Sequence, residues 1–133
     1  MAAGAVVVAA GLLWRSGALP LAPWLKKYGG DALWALLVLL AWSALVPRWK
    51  VSGRVVAALA TAFAVEFGQL WRPAWLEQVR HTRLGALALG STFNPPDLLA
   101  YAAGIGLGGV LLWQIERRFL QSPVQAGTLD TTL

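Results

Sequence analysis

Apolar residues fill four runs of the chain, 1–14, 32–46, 55–71 and 98–113, and the stretches between them hold most of the charge and the proline. A stretch of about 20 apolar residues crosses a bilayer core as a helix, and these runs are somewhat shorter. Flanking Trp, Lys and Arg that reach the head-group layer can extend them. Trp14, Trp34, Trp49, Trp71 and Trp113 stand at or just beyond run ends, as such anchors should, while Trp42 sits inside its run. The pattern predicts helices near 2–18, 31–47, 54–72 and 95–116. Residues 1–118 form one membrane domain, and 119–133 a disordered polar tail without apolar period. The first run has no Lys or Arg ahead of it and no small-x-small cleavage site before Pro20, so it reads as a helix and not as a signal peptide. Pro20, Pro23 and Gly29-Gly30 make the connector 15–30 irregular in this reading, with Asp31 capping the second helix. The short basic turn 47–53 folds helices two and three into an antiparallel hairpin.

Composition sharpens the class. Hydrophobic residues make up 58% of the 133 and charged residues 13%, with a mean hydropathy of +0.61. Soluble domains carry roughly 25% charge, and a water-soluble core of this size could not hide four such runs. The prediction is an all-α integral membrane protein, four transmembrane helices in a compact bundle. Cysteine is absent, so there is no disulfide framework. The net charge of +5 collects at segment ends, which suits anionic lipid head groups and not nucleic acid. Ala100, Gly104 and Gly108 recur at four-residue spacing, the pattern that lets membrane helices approach closely, so the fourth helix packs on a neighbour or a partner helix through that stripe.

Against this background Glu66 stands out, because a charge deep in a bilayer costs roughly 2.5–3.5 kcal/mol and needs partners. Gln69 shares its helical face one turn on, and Pro73 ends the helix. Asp97 opens the next helix with Tyr101 one turn later, so four polar groups converge on one leaflet. The connector 72–96 adds Arg80, His81 and Arg83, then an apolar stretch 84–89 bracketed by Gly85 and Gly90, too short to span and suited to a partly re-entrant turn. Arg80 and Arg83 are expected to pair with Glu66 and Asp97, since guanidinium binds carboxylate bidentately. Bland alternatives exist for each: Asn94-Pro95-Pro96-Asp97 is a good helix start in which Asp97 is only a cap, the ion pair can be purely structural, and the arginines can snorkel to lipid phosphate. The lone His81 is a poor metal ligand, and Ser91, His81 and Asp97 lack the surroundings of a hydrolytic triad, so no cofactor or metal is predicted.

The segments Phe63-Ala-Val-Glu66-Phe-Gly-Gln69, Arg80-His-Thr-Arg83-Leu-Gly85, Asp97-Leu-Leu-Ala-Tyr101 and Lys27-Tyr-Gly-Gly-Asp31 together resemble a small bacterial membrane family catalogued as domain of unknown function 2809, distantly similar to VanZ-like proteins. The resemblance covers roughly residues 15–113 and implies a four-helix inner-membrane protein with a cell-envelope role, marking Glu66, Gln69, Arg80, Arg83, Asp97 and Tyr101. The expected function is recognition of a polar or anionic lipid head group at the outer leaflet. The rivals are an accessory subunit whose cluster is an internal ion pair, and an enzyme on a lipid-linked substrate, for which a water-filled pocket with two converging carboxyls would speak. Basic residues number five on the side of the 47–53 turn and six on the other. Setting Arg80 and Arg83 aside as cluster members leaves five against four and places both termini in the cytoplasm.

Overall fold

The computed structural model describes residues 2–16, 18, 20–90 and 92–121, which leaves Ser91 and 122–133 of the predicted tail outside the described residues. Its elements are α1 (Ala2–Arg15), α2 (Pro23–Leu45), α3 (Val51–Gly68), α4 (Ala74–Arg80), α5 (Arg83–Leu89) and α6 (Pro95–Gln121). No strand occurs among the described residues. Three helices, α2, α3 and α6, are long and apolar enough to cross a membrane. The shorter α1 is apolar but has 14 residues, about 21 Å at 1.5 Å per residue, against a hydrocarbon core of about 30 Å.

The largest departure from the sequence reading is the start of α2. The helix begins at Pro23 and not at 31, and Asp31 lies well inside it instead of capping it. Pro23 occupies the first turn, where its missing N–H loses nothing. Gly29-Gly30 lie inside the helix, and a neighbour uses the missing side chain of Gly29. The Trp14 indole lies so close over Gly29 that a Cβ there would meet the ring at 2.5 Å. The indole N–H donates to the carbonyls of Leu25 and Lys26, at 3.3 and 3.1 Å. Gly29 is a seat for a tryptophan that joins α1 to α2.

At its other end α3 stops at Gly68, and three successive tight turns carry the chain through Trp71 to Pro73. The connector that follows is two short helices. Thr82 caps α5 by accepting the Gly85 N–H at 3.0 Å. The last helix runs 27 residues, so 119–121, assigned to the tail from sequence, extend α6.

The fold centres on α2, which packs against α1, α3 and α6. The core is small: Ala35, Leu39, Ala58, Ala62, Tyr101 and Ile105. The stripe predicted for close approach is the seam between α6 and α2 of the same chain. A Cβ on Gly104 would meet the Ala32 carbonyl oxygen at 2.3 Å, and one on Gly108 the Leu36 and Leu39 side chains. A partner helix would therefore need another face. Trp42, the tryptophan out of place as an anchor, donates its indole N–H to Thr61 Oγ1 at 3.0 Å and ties α2 to α3. Outward-facing Leu99 and Leu107 are each 75% exposed, an apolar exterior suited to lipid.

The end of the bundle holding the 46–50 turn is closed by a buried guanidinium. Arg54 donates to the Trp49 carbonyl from Nε at 2.9 Å and from Nη2 at 2.8 Å, and its Nη2 reaches Glu116 of α6 at 2.7 Å. One side chain thus fastens the turn, α3 and α6 together.

Candidate functional site

The opposite end gathers the polar residues. Glu66 is fully buried, and among the described residues its hydrogen-bond partners are neutral donors: Gln69 Nε2 at 3.2 Å and the Tyr101 hydroxyl at 3.1 Å reach Oε2, and the Asn94 backbone N–H reaches Oε1 at 2.6 Å. Asn94 immediately precedes α6. Glu66 therefore accepts from the start of a neighbouring helix, where N–H groups lack intrahelical partners and the helix dipole favours negative charge. Two pairs of residues about 30 positions apart become one network around a carboxylate.

Gln69 is the second buried member. Its amide nitrogen donates both to Glu66 and to the Leu89 carbonyl, at 3.2 and 3.1 Å, which fixes the amide's orientation because the nitrogen end alone can serve two acceptors. The oxygen end has no hydrogen-bond partner among the described residues. The chain passes close to Gln69 at Gly90, whose φ of +65° is left-handed, and a Cβ there would lie 2.4 Å from the Gln69 nitrogen.

Asp97 belongs to the start of α6 and accepts from the Asn94 side-chain amide and from Lys27 Nζ. Lys27 also bonds Asp31 one turn along α2, at 3.3 Å. So Asp97 is more than a cap. It is joined to α2 by a lysine that the sequence reading had placed in an irregular connector.

The arginines go elsewhere than expected. Arg80 is buried, but it pairs with Glu77 at 2.9 Å and donates to the carbonyls of Gly68 and Trp71 at 2.8 and 3.0 Å, finishing the end of α3 instead of meeting Glu66. The exposed Arg83 has no ion-pair partner among the described residues and lies on the wall of a cavity. Glu66, Gln69, Asp97 and Tyr101 are thus brought together, Arg83 stands at their edge, and Arg80 is separate. Lys27, Asp31 and Asn94 were missed. The Lys27-x-x-x-Asp31 spacing of a helical ion pair, with Pro23 as a helix start, could have found the first two.

The cavity has a volume of about 620 Å³ and is lined by Lys27, Asp31, Gln69, Arg83, Ala86, Leu87, Gly90, Thr92, Asp97 and Tyr101. Its walls come from α2, the end of α3, α5 and the start of α6, so a ligand would touch every element at this end except α1 and α4. Lys27 and Arg83 supply positive charge, Asp31 and Asp97 negative, and Glu66 adds a carboxylate behind Gln69 and Tyr101.

Fold and site together define an all-helical membrane protein with an apolar exterior and a polar cavity where three helices long and apolar enough to span a membrane begin or end. No solved structure matches the chain. The family described as protein of unknown function (DUF2809) matches over residues 21–105, and the chain belongs to it. The matched segment contains every cavity residue, while α1 precedes it and Glu116 follows it.

Proposed function

We propose that this protein binds the polar head group of a membrane lipid in the cavity between α2, α5 and α6, at the outer face of the cytoplasmic membrane. The observation that carries the reading is the Gln69 oxygen: an acceptor on a side chain 3% exposed, held in place by the two bonds of its own amide nitrogen and without a donor among the described residues. An unpaired buried acceptor costs about 1–3 kcal/mol, so a donor brought by a ligand is favoured there. Carboxylates outnumber cations around the site, which favours a neutral or zwitterionic head group with N–H or O–H over a purely anionic one. Arg83, at the rim, suits the phosphate. In this reading α1 serves as a fourth crossing with its interfacial anchors, both termini are cytoplasmic, and α4 and α5 lie in the interface with exposed Leu84 in lipid.

Native mass spectrometry of the detergent-solubilised protein tests the proposal. Phosphatidylethanolamine should be retained in preference to phosphatidylcholine, whose trimethylammonium cannot donate, and Arg83→Ala should weaken retention without altering thermal stability. Equal retention of the two lipids would remove the proposed role of Gln69.

An enzyme on a lipid-linked substrate has one specific observation in its favour, the two carboxylates of Asp31 and Asp97 on a single cavity. Lys27 contacts both, and Glu66 is sealed behind its donors. Each carboxylate at this end is thus engaged as an acceptor, an arrangement better suited to binding than to removing a proton.

A further inference from the structure

The polar cavity has two smaller neighbours with which it shares walls. Behind it a smaller chamber of about 70 Å³ shares Asp31, Gln69, Gly90 and Tyr101 with the cavity wall and is also lined by Gly30 and Trp34. Beyond that lies a slot of about 110 Å³ between α1 and α2. Its walls include Val8, Gly11, Leu33, Trp34, Leu37 and Leu87. Leu87 lines all three spaces. Asp31 is the last charged residue along these walls, and the slot itself is lined by apolar residues and glycine.

Resting on the head-group reading above, we infer that the ligand is a lipid bound with one acyl chain threaded past Leu87 into the slot between α1 and α2, its phosphate and a head-group donor remaining in the polar cavity. The sequence of surfaces matches such a molecule: charge at Arg83 and Lys27, an acceptor at Gln69, then hydrocarbon only. A water-soluble ligand of the polar cavity would have no use for the apolar slot, and a lipid lying flat on the exterior would leave the Gln69 oxygen unmet. The clearance at Gly11 fits this use, because a Cβ there meets nothing within 4 Å, so the glycine keeps one wall of the slot open without being demanded by helix packing. α1 becomes a wall of the binding site in addition to a membrane segment.

Gly11→Leu fills the slot while leaving the polar cavity untouched. The test uses the full-length protein in detergent and two probes, dioleoyl phosphatidylethanolamine and its water-soluble fragment glycerophosphoethanolamine, with affinities read by native mass spectrometry. Gly11→Leu should weaken the lipid by about tenfold or more, the effect of two or three methylenes kept from apolar contact, and should leave the fragment's affinity unchanged. If Gly11→Leu binds the lipid as the wild type does, the threaded chain is wrong while head-group recognition stands. If the wild type discriminates neither probe from phosphatidylcholine or its fragment, the head-group reading fails and takes this inference with it. A measurement that needs no slot variant guards against misfolding: a lipid brominated near the carbonyl end of its chain should quench Trp34, so that Trp34→Phe removes most of the quenchable fluorescence. Equal quenching in Trp34→Phe overturns the inference.

Discussion

Glu66 holds its buried position by accepting three hydrogen bonds and not by meeting a cation, which changes what its replacement should do. With a guanidinium partner, Glu66→Gln would strand a buried charge and cost about 3–5 kcal/mol. With neutral donors the new amide N–H₂ must face donors on either oxygen's side, a mismatch of about 1–3 kcal/mol. Thermal unfolding in detergent should therefore show moderate destabilisation for Glu66→Gln and a larger loss for Glu66→Leu, which leaves all three donors without an acceptor. Asp97 has a different partner, Lys27, so the charge swap that should partly rescue is Lys27→Asp with Asp97→Lys, and not an exchange with Arg83. A double-mutant cycle on thermal stability reads this directly, with additive defects counting against a direct pair. The grouping of Glu66 and Gln69 on one turn and of Asp97 and Tyr101 on another was legible in the sequence, because it follows from helical spacing alone. The partners of the arginines were not, since they depend on the path of the connector, and no periodicity in 72–96 specifies a path.

Among the elements, the α2–α6 seam shows how one residue type can serve opposite ends. Gly104 faces the Ala32 carbonyl so closely that even a methyl must push the helices apart, whereas a Cβ on Gly106, two positions on, meets nothing within 4 Å. Gly104→Ala should lower the unfolding temperature and Gly106→Ala should leave it unchanged or raise it, by at most the 0.5–1 kcal/mol of helix preference for alanine. Equal behaviour of the two variants would mean that the seam is not tight. The sequence revealed this stripe and its purpose, close packing, but not which helix it meets. The sequence suggests a break at Gly29-Gly30, because a glycine looks alike whether it ends a helix or, like Gly29, receives a tryptophan. The choice is made by Trp14, fifteen positions earlier, through tertiary contact that local propensity does not contain.

For the molecule as a whole, the cavity end and the 46–50 turn lie at opposite ends of the long helices, so one labelling experiment orients everything. With both termini cytoplasmic, Ser52→Cys should resist a membrane-impermeant thiol reagent added to intact cells, while Gln78→Cys, exposed on α4, should react; the reverse pattern inverts the protein and moves the cavity to the inner leaflet. The two ends also differ mechanically. At the turn, Arg54 grips the Trp49 carbonyl and Glu116 at once, and at the cavity the start of α6 rests on a few side chains that a ligand could rearrange. A helix of 27 residues is a stiff rod of about 40 Å. Riveted near its C-terminal end, it behaves as one arm of a pair of tongs: a tilt of a few degrees at Arg54 is negligible there and moves Asp97 by an ångström or more. Loosening the rivet with Glu116→Ala should consequently be felt as altered ligand retention at the far jaw, even though no atom of Glu116 comes near it.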